Sequence, residues 1–158
     1  MKKLILLSLI VIGFSFSANS QEIADNALGL RLGGGNGFGT EVSYQRALGG
    51  NNRLELDLGW RSGNDFDGFK LIGLYQWVWA IEGNFNWYAG VGGGLGSYDN
   101  DRNDNNSETF AVAAGNIGIE YNFDIPLMIS LDFRPELGFG NFNDDVNFDI
   151  ALGVRYQF

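Results

Sequence analysis

Residues 53–61 read RLELDLGWR. Leu54, Leu56, Leu58 and Trp60 take every second position, and Glu55, Asp57, Gly59 and Arg61 fill the places between. Side chains leave an extended chain on alternate sides, so a period of two gives this stretch one apolar and one polar face; it is a strand. The same sorting recurs in MISLDFRPELGFG (128–140), where Ile129, Leu131, Phe133, Leu137 and Phe139 oppose Ser130, Asp132, Arg134, Glu136 and Gly138. It recurs again in DIALGVRYQF (149–158), the last stretch of the sequence.

Extended outward, the pattern predicts eight strands, at 26–34, 38–47, 53–61, 69–81, 86–97, 109–123, 128–139 and 148–158. Between them lie GGNG, LGGNN, SGNDFDG, EGN, SYDNDRNDNNSE, DIP and GNFNDDVN, rich in the Gly, Asn and Asp that turns use. Short connections imply antiparallel neighbours. With no helical periodicity to cover a sheet face, the expected fold is all-β: an eight-stranded antiparallel up-and-down barrel that removes its own edges. Pro135 stands inside the seventh strand without a ladder donor, which predicts a bulge or an early strand end there.

The chain opens MKKLILLSLIVIGFSFSANSQE: Lys2 and Lys3, an apolar run from Leu4 to Phe16, then small Ala18 and Ser20 before Gln21. This is the pattern of a cleavable signal peptide over 1–20, leaving 21–158 as one barrel domain. The apolar run is shorter than the ~20 residues of a bilayer-spanning helix.

Composition excludes much chemistry. There is no Cys and no His, hence no thiolate nucleophile, imidazole base, disulfide or Cys/His zinc site. A net charge of -9 is the wrong sign for a nucleic-acid partner, which would need a basic stripe. No nucleotide-binding glycine motif or G-x-S-x-G elbow is present. The chain therefore reads as non-catalytic, without a cofactor; the neighbouring carboxylates Glu55 and Asp57, or Asp132 and Glu136, read as paired charges before acid/base groups.

Alternation alone does not say whether the apolar face points into a soluble barrel's core or out into lipid. Three features favour lipid. The polar face balances Arg31, Arg61, Lys70, Arg134 and Arg155 against Glu41, Glu55, Asp57, Glu120, Asp132, Glu136 and Asp149, a set suited to pairing inside a filled barrel. Many glycines share that face, where they would weaken a solvated strand but make room in a narrow lumen. Among them Gly90, Gly92, Gly94 and Gly96, between inward Tyr88 and Tyr98, read as space for Arg134 or Arg155, with a narrow water path as the alternative. Lastly, Tyr44, Trp77, Trp79, Trp87, Tyr121, Phe123, Tyr156 and Phe158 collect toward the short turns, and Phe38, Trp60, Phe69, Phe139 and Phe148 toward the other ends. From Phe148 to Phe158 an extended strand covers about 33 Å, or about 25 Å along the axis of a tilted barrel, the height of a membrane barrel's apolar band.

WYAGVGGGLG, AAGNIGIEYNF, ISLDFRPELGF and the final IALGVRYQF, together with the secretion signal and eight amphipathic strands, resemble the small OmpX/OmpA-type outer-membrane β-barrel family over essentially the whole mature chain. The resemblance implies an integral protein of the Gram-negative outer membrane, with periplasmic termini and the GGNG, SGNDFDG, SYDNDRNDNNSE and GNFNDDVN loops at the cell surface. It also implies that Ile150, Leu152, Val154, Tyr156 and Phe158 form the signal read by the barrel-assembly machinery. Outer-membrane lipids and lipopolysaccharide are the other implied partners of a monomer. The expected role is structural or surface-interacting; a narrow passive, porin-like pore and a soluble periplasmic ligand-binding barrel are the alternatives.

One loop carries candidate metal ligands. Asp99, Asp101 and Asp104, with Asn103 and Glu108, supply oxygen donors, yet Asp104 stands where an EF-hand needs its turn glycine and Phe110 where it needs the bidentate Glu. A solvated polar loop is the better reading, and no metal is expected.

Overall fold

The computed structural model describes residues 23–33, 39–62, 66–100, 107–139 and 146–158, with 61–62, 66–67, 98–100 and 107–108 described by their backbone. The expected signal peptide, 1–20, lies outside the described residues, as does Phe38. Eight strands follow in chain order: β1 (Asn26–Gly33), β2 (Thr40–Gly49), β3 (Asn52–Ser62), β4 (Phe66–Glu82), β5 (Phe85–Asn100), β6 (Ser107–Asn122), β7 (Leu127–Phe139) and β8 (Val146–Gln157). Each pairs antiparallel with its neighbours in sequence, and β8 pairs with β1, closing the barrel. Closure leaves no edge strand open to a second chain.

Two of the short turns need glycine. Gly49 at the end of β2, Gly50 after it, and Gly83 between β4 and β5 have φ of 100°, 58° and 55°, a region that side-chain-bearing residues rarely adopt. At the opposite end β4, β5 and β6 run further than the hydrophobic pattern predicts: Phe66 pairs with Asn100 and Asp67 with Asp99. Residues of turn-forming composition are held in the ladder there by a partner strand, because propensity yields to pairing.

Pro135 corrects an expectation. It causes neither bulge nor early end: β7 continues to Phe139, and the β6–β7 register is the same on both sides of it, Ile117 opposite Phe133 and Ala114 opposite Glu136. The ladder instead skips Gly115 and Asn116 on β6, while Pro135 stays paired with Phe148 on β8. Proline removes one donor, and opposite Gly115 its ring meets no side chain, so the strand accepts it at the cost of a local gap.

The distribution of side chains is the reverse of a water-soluble core. Arg31, Arg134 and Arg155 are 1%, 0% and 0% exposed, while Leu95, Ile150 and Phe148 are 64%, 62% and 61% exposed. Outside, the aromatics form contacts along the short-turn end: Trp79 stacks on Trp87 at 4.3 Å, Tyr121 meets Phe85 and Phe123 edge-on, and Tyr156 stacks with Phe158. Trp60, Phe69, Phe139 and Phe148 are exposed toward the other end.

Candidate functional site

Among the described residues, chemistry-bearing side chains converge in the lumen. Alternation delivers them: each strand contributes inward residues at every second position, and the registers bring those positions level with one another.

Arg31 of β1 is a hub. Its guanidinium donates to Glu41 on β2 at 3.0 Å, to Asp149 on β8 at 2.5 Å and to Asp132 on β7 at 2.5 Å. Arg134 of β7 is a second hub, donating to Glu41 at 2.6 Å, Asp57 at 2.9 Å and Glu136 at 2.8 Å. Lys70 of β4 reaches across to both Glu136 oxygens at 3.0 Å and lies 3.7 Å from Glu41. Glu41 thus joins all three cations. Charges taken out of water cost several kcal/mol each unless paired and hydrogen-bonded, and here each of the three cations meets two or more carboxylates, while Asp57 Oδ1 is buried without a partner among the described residues.

Arg155 of β8 belongs to a separate group nearer the short turns. It donates to the hydroxyls of Ser130 and Ser43, each at 2.8 Å, and to Glu55 at 3.2 Å, while Gln45 donates to the same Glu55 carboxylate. Glu120 on β6 is held by Arg53, 2.8 Å away, and accepts from Asn86.

Arg53 is the residue the sequence reading left out. It shares the parity of Glu55 and Asp57 in RLELDLGWR, so period two places it inward, but it stands beside a turn, where a cation is ordinarily solvated. In the fold it is 2% exposed, donates to Gln76 at 2.6 Å and lies 4.7 Å over the Tyr88 ring. Of the expected network, the Arg61 side chain lies outside the described residues; the other members all lie within the lumen. The candidate metal ligands Asp101 and Asp104 and the side chain of Asp99 also lie outside the described residues.

The glycine run corrects a second expectation. A Cβ at Gly96 would strike the Phe110 ring, one at Gly94 the side chain of Ile72 and one at Gly92 the backbone of Gly73. The atoms nearest a Cβ at these three positions belong to apolar side chains and to backbone, and not to Arg134 or Arg155. The sequence pattern missed this because it read only charge on the inward face. Ile72, Leu74, Phe110, Val112 and Ala114 form an apolar cluster inside the barrel on the β4–β6 wall. Elsewhere glycine does seat charge or bulk: a Cβ at Gly153 would strike Arg155, and at Gly33 would lie 2.6 Å from Asp149. Gly118 leaves room for the Tyr88 ring.

Ile150, Leu152, Val154, Tyr156 and Phe158 all face outward and are exposed, continuous with the short-turn aromatic band. Phe158 is held at the seam, where its backbone exchanges hydrogen bonds with Asn26.

No model of a known protein family and no curated protein sequence matches the chain. Solved structures do. The N-terminal β-barrel domain of Pseudomonas aeruginosa OprF superposes with a TM-score of 0.66 at 16% identity, covering 86% of this chain and 100% of that one. Neisserial surface protein A gives 0.62 at 13% identity, over 84% and 94% of the two chains. Ail, the attachment invasion locus protein of Yersinia pestis, gives 0.55 at 15% identity, over 86% and 100%. At such identities the likeness is one of fold: this chain has the small closed barrel that those proteins have.

Proposed function

We propose that this chain is a small integral outer-membrane barrel with a filled, charge-paired lumen, acting as a structural or surface-interaction protein without catalysis. One observation carries the reading: the barrel is inside out. Its long apolar side chains stand on the outer wall in a band bounded at both ends by aromatics, and its arginines are buried in the lumen. In water such a wall would be an uninterrupted apolar surface, far beyond what soluble monomers expose. In a bilayer it is the required one, since lipid favours an apolar band and interfaces favour Trp and Tyr.

In this reading the termini and the short turns face the periplasm and the longer connections face the cell surface. Lipids and lipopolysaccharide contact the outer wall, and the barrel-assembly machinery reads the β8 alternation ending in Phe158. The chain works as a monomer. The ion-paired hubs support a closed lumen over a passive pore, because the guanidiniums of Arg31 and Arg134 span it from β1 and β7.

Cell fractionation tests the proposal. The protein is expected in the outer-membrane fraction, resistant to extraction with urea, and in planar bilayers it is expected to give no steady conductance. Recovery in the soluble periplasmic fraction would sink the membrane reading, and steady conductance would replace the closed lumen with a pore.

A further inference from the structure

The inward residues nearest the short turns come from strand ends. Ala27 of β1 lies opposite Gln45 of β2 and Gln157 of β8, and Asn86 of β5 lies opposite Glu120 of β6. Arg53, near the start of β3, reaches into the same end of the lumen, where its Nη1 is 2.8 Å from Glu120 Oε2. Arg53, Asn86 and Glu120 are 2%, 4% and 3% exposed.

Much of the hydrogen bonding at this end is complete. Arg53 Nε donates to Gln76 Oε1 at 2.6 Å, Asn86 Nδ2 to Glu120 Oε1 at 3.2 Å, and Gln157 Nε2 to Asn122 Oδ1 at 2.8 Å. Gln45 donates to Glu55. Arg53 Nη2, Asn86 Oδ1 and Glu120 Oε2, however, are buried with no hydrogen-bond partner among the described residues. The contact of Arg53 Nη1 with Glu120 Oε2 is an ion pair, close in distance but not aligned as a hydrogen bond. Buried polar groups are ordinarily satisfied by protein or by ordered water.

Arg53, Asn86 and Glu120 all line one cavity of about 20 Å³. Ala27 and the two residues ahead of β1, Ile23 and Ala24, form an apolar part of its wall. A space of that size holds one water when two to four polar groups line it. Charge selects the occupant as well as size does. A cation would face the Arg53 guanidinium and an anion the Glu120 carboxylate, whereas a water can accept from the first and donate to the second.

We propose that this cavity binds one ordered water, which accepts from Arg53 Nη2 and donates to Asn86 Oδ1 and Glu120 Oε2. The three protein atoms left over by the direct hydrogen bonds are one donor and two acceptors, which is the complement of a single water with one lone pair and two protons engaged. The water completes the Arg53–Glu120 pair and links β3 to β5 and β6, strands that share no ladder with β3. Ile23 and Ala24 wall the site, which gives the segment ahead of β1 a part in shutting it. The site does not depend on whether the outer wall meets lipid.

The test uses the whole barrel in phosphatidylcholine bicelles, with ¹⁵N-labelled Arg, Asn and Gln and water-selective NOE and ROE spectra. Cross-peaks are expected from water to the Asn86 side-chain amide and to the Arg53 Nη protons, with opposite signs in the two spectra. That sign pattern marks a long-lived bound water and separates it from proton exchange and from mobile solvent. Ala27→Val adds volume to the β1 wall of the cavity and is expected to remove both cross-peaks while the Gln157 side-chain amide signal stays in place. Should that variant not fold, Ala24→Val fills the cavity from outside the ladder and is expected to do the same. Wild-type spectra without these cross-peaks, or with the same sign in both, would overturn the site. Cross-peaks of unchanged strength in a folded filling variant would overturn it too.

Discussion

Asn26 and Phe158 close the barrel: the Asn26 amide donates to the Phe158 carbonyl at 3.0 Å, and the Phe158 amide donates back to Asn26 at 2.9 Å. The last residue therefore completes the β1–β8 ladder with its backbone and joins the aromatic band with its ring. The two roles separate by substitution. Phe158→Ala keeps both backbone bonds and loses the ring; deletion of Phe158 loses both. If the ring is the assembly label, both variants should lower the folded outer-membrane fraction severalfold, as judged by heat-modifiable migration on gels. An unimpaired Phe158→Ala beside an impaired deletion would assign the residue to closure alone.

Arg134 donates to Glu41, Asp57 and Glu136 at once. Arg134→Ala leaves these carboxylates buried with a missing cation, and is expected to destabilise the barrel by about 3–5 kcal/mol. Denaturant unfolding in lipid vesicles, followed by tryptophan fluorescence, measures this. A loss under about 1 kcal/mol would mean that the lumen is open to water.

Glu41 is shared by Arg31 and Arg134, so these two arginines should not behave independently. A double-mutant cycle of Arg31→Met and Arg134→Met is expected to show coupling of about 0.5–3 kcal/mol. Additivity within about 0.3 kcal/mol would argue that the network is not formed in the membrane.

Leu152 lies outward on β8, midway between Phe148 and Tyr156, and is 47% exposed. Leu152→Arg should therefore cost about 2–4 kcal/mol, the depth-dependent cost of a cation at mid-bilayer. In a water-facing wall the same change would be near neutral, and the unfolding midpoint in vesicles distinguishes the two.

Gly118 and Gly73 make a matched pair. A Cβ at Gly118 would lie 2.5 Å from the Tyr88 hydroxyl and 2.8 Å from the Leu131 carbonyl, whereas at Gly73 it would meet only Leu56 Cδ2, at 3.4 Å. Gly118→Ala is expected to cost about 1–3 kcal/mol through overpacking, and Gly73→Ala less than about 0.5 kcal/mol. Equal effects would show that the lumen relaxes around added volume.

Period two was enough to find eight strands, their antiparallel closure and the inward parity of the charged residues. That follows from local geometry: successive side chains of a strand must face opposite sides, and RLELDLGWR shows the result in nine letters. Arg53 had the same parity signal as Glu55, but its place beside a turn masked it. Pro135 was read as a disruption because a proline's missing donor is a local fact, while the stretch of β6 opposite it, with Gly115 leaving room, is not. The loopward extensions of β4, β5 and β6 were hidden by turn-like composition and exist because each has a partner to pair with.

The sequence by itself determined which residues share a face, and through the size and polarity of those faces, which face turns outward. Only the tertiary structure decided which inward residues meet. Arg31 bonds Asp132 across a separation of 101 residues, Arg134 bonds Glu41 across 93, and Gly90 lies between Gln76 and Asn116. Those encounters depend on the register and shear of the closed sheet, which are set by the whole ring of strands together; no single strand contains them.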